Sequence, residues 1–279
     1  MQKLLDYVSN PANRVHALSV LNMNGSPVYT RWEPQQDIRF PVYSLTKSLL
    51  SIGISFLVKA GKFDIHKPLS SYLTGEQLAL VPAGQRDDFA RLPVTRFLTM
   101  SLAGYPFRPE GESDWIAQAL GAAIDYTQPP AFAYSNFPAL LVGVAAENAA
   151  DEPFMQYLDR NYLSLAGIPG VTCKHTPEGY FYGATGMELS ARELMVIGGN
   201  LFYMTQTESY LKAAVRQQIA NERGGYGYFF WVGEQYFFLS GKWGQKCIVF
   251  PESGTVIAYL SDRQEGDSEL FRLAVEAGT

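Results

Sequence analysis

The chain has 279 residues, 47% of them hydrophobic, enough for a large core in one broad domain or two interlocked lobes. A formal net charge of -5, with 22 lysines and arginines scattered and no basic run, excludes a nucleic-acid footprint and a polybasic membrane surface. A small soluble substrate is therefore favoured over a polyanion.

The N-terminal stretch is interrupted by Asp6, Asn10, Asn13 and Arg14, so it lacks the apolar core of a signal peptide. No window reaches the ~18 apolar residues of a spanning helix. As given, the chain reads as cytoplasmic, although a chain trimmed of a leader would read the same. A short helix is expected around residues 4–8, then a strand over 15–21. Asn24-Gly25 signals a type I′ hairpin turn, after which 28–32 pairs back. From about 40 to 218 the patterns are mainly helical, with helices expected over 44–60, 137–150, 154–165, 190–203 and 207–222. The loop "EQLALVPAGQRDDFARLP" is too mixed to be a linker. The runs "GYGYFFWVG", "EQYFFLSG", "QKCIVFPE" and "GTVIAYLSD" read as short strands separated by tight turns, and a last helix falls around 270–275. Short turns make antiparallel neighbours, so the expectation is an α+β fold: one antiparallel sheet built from both termini and flanked by the terminal helices. The domain expectation is a single unit over 1–279, its sheet region about 1–40 plus 223–279 and its inserted helical region about 41–222. Internal repeats are absent.

The chemistry concentrates at Ser44 and Lys47. Ser44 opens an apolar run from Leu49 to Val58, as in a helix buried on every side, and Gly61 is its natural stop. A residue three positions on lies one turn up the same face, so Lys47 points beside Ser44. A serine hydroxyl is a weak nucleophile that needs a base, and a lysine in a dry site loses proton affinity until it can accept or relay a proton. The bland alternative is an N-cap serine followed by a lysine that snorkels to solvent. Ser209 and Lys212 share the spacing, but in a polar amphipathic segment that gives no buried context. Two further elements accompany the first pair. Tyr134-Ser135-Asn136 precedes an apolar helix, and Ser240-Gly241 closes a strand where glycine permits close backbone approach. Either alone reads as an ordinary turn.

Together and in this order, S-x-x-K, Y-x-N and the Ser240-Gly241 strand end resemble the serine β-lactamase and penicillin-binding protein family, most of all its class C and esterase branch. The segments "YSLTKSLLSIGISFLVKAGKFDIHKPLSSYL", "LPVTRFLTMSLAGYP" and "YGATGMELSARELMVIGGN" are similar to further stretches of that branch, and the resemblance runs from about Arg39 to Asp262. It implies a β-lactamase/transpeptidase-like fold and a catalytic site. In it Ser44 is the acylated nucleophile, Lys47 its partner, Tyr134 a proton shuttle acting as general base and acid, and Asn136 an orienting group for substrate or Lys47. The N–H groups of Ser44 and Lys242 would form the oxyanion hole, and Ser240, Gly241 and Trp243 would line the substrate site.

Two departures stand out. The family's Lys or His of K-T-G falls on Leu239, which offers no charge to a β-lactam or D-alanyl carboxylate, leaving neighbouring Lys242 as a substitute. The chain is also shorter than most class C enzymes, which implies a more open cleft, and Gly241 to Gln245 looks more like esterases and amide hydrolases.

No competing chemistry emerges. His16, His66 and His175 have no metal-ligand spacing, Cys173 and Cys247 read as two unpaired core thiols, and no nucleotide-binding glycine pattern exists, so no cofactor or metal is called for. Asp87-Asp88, Glu110 and Glu112 read as solvated faces, and Tyr226, Tyr228, Phe229, Phe230 and Trp231 as sheet core. Three functions stay open: a hydrolase of small esters or amides, an enzyme acting on β-lactams or D-alanyl peptides, and a catalytically silent binding module of the same fold. The first two imply a small-molecule ester, amide or β-lactam-like substrate, with no nucleic-acid partner and no membrane segment. The oligomeric state is not legible.

Overall fold

A computed structural model describes residues 1–24, 28–32 and 37–279. Its strands are β1 (Val15–Asn22), β2 (Val28–Trp32), β3 (Phe40–Pro41), β4 (Glu188–Leu189), β5 (Ile219–Asn221), β6 (Gly224–Tyr226), β7 (Trp231–Val232), β8 (Phe237–Gly241), β9 (Gln245–Phe250) and β10 (Thr255–Ser261). Eight of them form one sheet in the order β2-β1-β10-β9-β8-β7-β6-β5, with every neighbouring pair antiparallel. The first strand therefore lies beside the last, as the sequence pattern requires. The hairpin of β1 and β2 is present, while the Asn24-Gly25 turn lies outside the described residues.

The helices are α1 (Gln2–Ser9), α2 (Thr46–Lys59), α3 (Gly75–Ala79), α4 (Arg86–Phe89), α5 (Val94–Leu98), α6 (Trp115–Leu120), α7 (Asn136–Ala150), α8 (Phe154–Leu158), α9 (Ala191–Thr207), α10 (Ser209–Ala214) and α11 (Ser268–Gly278). The strict period of two in β9 and β10 divides the core. Ile248, Phe250, Ile257 and Tyr259 pack outward with Leu4, Val8, Leu270 and Leu273 of α1 and α11. Cys247, Val249, Val256, Ala258 and Leu260 face the larger inner cluster, which includes Ile197 and Leu201 of α9. Both faces are covered, so every residue of β9 and β10 is buried. Among the described residues no helix is long and apolar enough to cross a membrane.

Three expectations need correction. The helix expected over 207–222 stops at Ala214, and its tail becomes the edge strand β5, paired with β6 across a turn in which the Asn221 side chain accepts from the Arg223 N–H at 2.8 Å. A short Asx-type bond outcompetes weak helix propensity there. The helix expected over 154–165 ends at Leu158 and continues as a π-turn, Asp159–Leu163. Cys173 is only half-buried, whereas Cys247 lies in the core.

Candidate active site

The chain enters the site from β3, which pairs with β4, and the Val42 N–H donates to the Met187 carbonyl at 3.0 Å. A 3-10 turn, Tyr43–Leu45, then leads into α2. Ser44 therefore sits on this tighter turn just before the α-helix, where residues three apart come closer to eclipsing. Tyr43 takes φ of 49°, a left-handed backbone of the kind that costs about 1–3 kcal/mol and persists where surrounding structure enforces it. Behind the turn, α2 is buried around nearly its whole circumference. Its end is as expected, with Gly61 at φ 69° directly after it.

Lys47 is 1% exposed, and its ammonium reaches three oxygens: Ser44 Oγ at 3.1 Å, Asn136 Oδ1 at 2.8 Å and the Ala184 carbonyl at 2.8 Å. None of the three is charged. Burial consequently lowers the lysine from its ordinary value to about 7. Asn136 is the first residue of α7, placed there by Ser135, whose hydroxyl accepts from the Phe137 N–H at 3.1 Å and donates to the Pro106 carbonyl at 2.6 Å. Tyr134 stands on the chain just before that cap. Its ring centroid lies 5.0 Å from the Lys47 Nζ, and burial pushes its phenol up to about 12, with a hydrogen bond to Ser44 pulling partly the other way. Ser44, Lys47, Tyr134 and Asn136 are thus brought together.

The fourth wall is the end of β8. An added Cβ on Gly241 would fall 2.0 Å from the Val42 carbonyl oxygen, so glycine here permits the close approach of the sheet and the turn that carries Ser44. The hairpin turn beyond it, residues 242–244, puts Trp243 edge-on to Tyr43 at 5.2 Å, and the Lys242 ammonium lies over the Trp243 ring at 4.2 Å. Leu239 is fully buried in the inner cluster. Ser240 is half-buried and pairs with Lys246 on β9. Ser209 begins α10 with Lys212 in its last turn, outside this constellation.

Some of the site was not legible from residue types. Trp231 packs against the core from β7 as expected, but its ring also stacks on Tyr134 at 5.9 Å. Together with Phe132 and the β5–β6 turn at Asn221, Glu222 and Arg223, it lines a cavity of about 550 Å³ beside Tyr134. Phe132 offered no pattern, but the aromatic density of "GYGYFFWVG" was a usable signal. Tyr182 is also part of the site. Burial pushes its phenol up to about 12, partly offset by a hydrogen bond with Asn136. His16, by contrast, stacks on Phe40 at 4.7 Å.

A family model described as Beta-lactamase matches residues 13–278. A search of the curated proteins finds no match. Among solved structures, a penicillin binding protein from Bacillus halodurans is similar at 17% identity and TM-score 0.74, covering 98% of this chain and 99% of that one. A β-lactamase/D-alanine carboxypeptidase from Pseudomonas syringae is similar at 13% identity and TM-score 0.75, covering 98% and 97%. A D-stereospecific amidohydrolase from Streptomyces sp. is similar at 16% identity and TM-score 0.73, covering 96% of each. At such identities the neighbours speak for the fold, which is the α+β fold of β-lactamases and transpeptidases. The family match spans nearly the whole chain, the Ser44 turn, the Tyr134-to-Asn136 element and the Gly241 strand end included, and the protein is a member of the Beta-lactamase family.

Proposed function

We propose that the protein is a serine hydrolase that cleaves small esters or amides through an acyl-enzyme on Ser44. The observation that carries this reading is the Lys47 amine, buried, poised near 7 and 3.1 Å from Ser44 Oγ. When neutral it has two N–H groups, which Asn136 Oδ1 and the Ala184 carbonyl accept, and one lone pair left for the Ser44 hydroxyl. As Oγ bonds to the substrate carbonyl carbon, the hydroxyl proton passes to Lys47. The resulting oxyanion is held by the N–H groups of Ser44 and Lys242. Collapse breaks the bond to the leaving group, which takes a proton from the Tyr134 phenol, and Lys47 returns a proton to Tyr134. Water then repeats the sequence on the acyl carbon and frees Ser44. A phenol near 12 is a proton donor at neutral pH, so the base in this scheme is Lys47 and Tyr134 the relay.

Leu239, buried in the inner cluster, offers no charge at that end of the site, which supports a substrate without a carboxylate there. Lys242 supports a second reading, in which its ammonium beside Trp243 takes the carboxylate of a β-lactam or D-alanyl peptide. The silent-module reading, which rests on Leu239 and the short chain, gains nothing from the site, since Lys47 is within hydrogen-bonding reach of Ser44.

Intact-protein mass after brief mixing with p-nitrophenyl butyrate and, separately, with a penicillin tests these readings. Ester turnover or an ester adduct, absent from Ser44→Ala, is the expected result. A persistent penicillin adduct on Ser44 would bring the Lys242 reading forward, and undiminished ester turnover by Ser44→Ala would end the proposal.

A further inference from the structure

The turn at residues 242–244 carries the second N–H of the proposed oxyanion hole, and its three carbonyls are all held from within the protein. Gln245 Nε2 donates to the Lys242 carbonyl at 3.2 Å. The Ser261 hydroxyl is shared between the Trp243 carbonyl at 2.7 Å and the Gly244 carbonyl at 3.0 Å, and the Arg263 N–H also donates to the Trp243 carbonyl at 3.0 Å. The Gln245 carboxamide is further locked to the backbone of Ser261, donating to its carbonyl at 2.5 Å and accepting from its N–H at 3.3 Å. Both side chains are buried, at 2% and 3% exposure.

A hairpin turn at the end of a sheet ordinarily leaves its carbonyls to water. Here they are satisfied by buried groups on β9 and β10, while Trp243 is held at φ 64°, a strained backbone for a residue with a Cβ. The restraint brackets Lys242. The pairing of Gly241 with Gln245 fixes the peptide before it, and the bond from Gln245 fixes the peptide after it.

We infer that Gln245 and Ser261 are positioning residues that clamp the 242–244 turn so that the Lys242 N–H stays aimed at the oxyanion. The inference rests on the hydrolase reading above. It places catalytic control in two buried side chains that touch no substrate, acting through a backbone donor whose placement matters at the level of tenths of an ångström.

The test uses p-nitrophenyl butyrate and n-butylboronic acid, whose tetrahedral adduct on Ser44 would put an oxygen in the hole. Gln245→Met keeps the side-chain length and removes its donors. It is expected to lower kcat by about tenfold to a hundredfold, less than outright loss of a donor, with KM within about threefold. Boronate affinity should fall by the same factor. Ser261→Ala should move both quantities the same way. Ser253→Ala removes hydrogen bonds to Thr255 and to the Gly278 carbonyl at the opposite end of β9 and should leave both unchanged, which separates clamping from general loosening. Unaltered kcat in Gln245→Met and Ser261→Ala would overturn the inference, as would a fall in kcat with unmoved boronate affinity. Failure of the hydrolase reading shows separately, as wild-type turnover that survives in Ser44→Ala or as no turnover by wild type, and either result removes the clamp's function with it.

Discussion

A lysine surrounded by neutral oxygens pays for its charge with lost solvation, and among the described residues Lys47 has no carboxylate to compensate. Its position near 7 gives the proposed chemistry a definite pH dependence. Acylation needs the neutral amine, so kcat/KM for an ester should rise with pH through about 7, falling about tenfold per unit below it and levelling above. Tyr134, near 12, adds no descending limb in the ordinary range. Rates measured from acid to mildly alkaline pH check this, and a profile flat across 7 would remove Lys47 as the base. The same shift has a stability consequence. The folded pKa lies below the unfolded value of 10.5, so between about 7 and 10.5 the unfolded chain holds a proton that the folded one has released. Unfolding free energy therefore rises with pH across that window, and below it the full penalty of burying the charge applies. Lys47→Met should abolish turnover while stabilising the fold at neutral pH by on the order of 1–3 kcal/mol, read as a raised Tm.

At the level of elements, the candidate site is a junction between the Ser44 turn and the end of β8, and Gly241 is its hinge pin. An alanine there would put its Cβ 2.0 Å from the Val42 carbonyl oxygen, so strand and turn must part. Gly241→Ala should lower kcat/KM by about a hundredfold, comparable to losing an oxyanion donor, with a smaller change in Tm, measured by ester kinetics and thermal melting side by side. The elements themselves were legible where one period dominated. The buried α2, the long α7 and α9, and the alternating β9 and β10 follow the apolar pattern, because each buries a face that the sequence must write in advance. Legibility failed where local bonds outweighed periodicity. The residues after Ala214 look helical by composition, but the Asn221 bond and pairing with β6 make them an edge strand. Within the site, Ser44 and Lys47 stood out by residue type and spacing, whereas Tyr134 and Asn136 were picked out only by the resemblance of the whole set of motifs. The Ala184 carbonyl could not be read, since any residue supplies one, and neither could the place of Trp231, which reaches Tyr134 only because the sheet runs on beyond β8.

For the whole molecule, the sheet's closure from both termini is what brings Ser44 and Gly241 together across nearly two hundred residues of chain. That closure has a polar fastening on its outer face. Lys246 of β9, 8% exposed, is paired with Asp267 at 2.7 Å, and the Tyr259 hydroxyl of β10 donates to the same carboxylate oxygen at 2.9 Å. Asp267 precedes α11, so one carboxylate ties the last helix to two central strands. Burial lowers the Lys246 pKa, and Asp267 raises it partway back. Removing one member of such a pair strands the other, and the loss usually exceeds the worth of the pair itself. Asp267→Ala should therefore destabilise the fold by about 3–5 kcal/mol, seen as a lowered midpoint in urea with little change in slope. Asp267 bonds to Lys246 and Tyr259 rather than to Ser44 or Lys47, so the folded variant should keep its KM. Lys246→Met with Asp267→Leu replaces both charges by hydrocarbon against Phe271, and should recover most of the lost stability. Recovery would show that the pair secures α11 by avoiding an orphaned charge more than by its own attraction; a double variant as unstable as Asp267→Ala would show that the bond to Tyr259 carries the fastening instead.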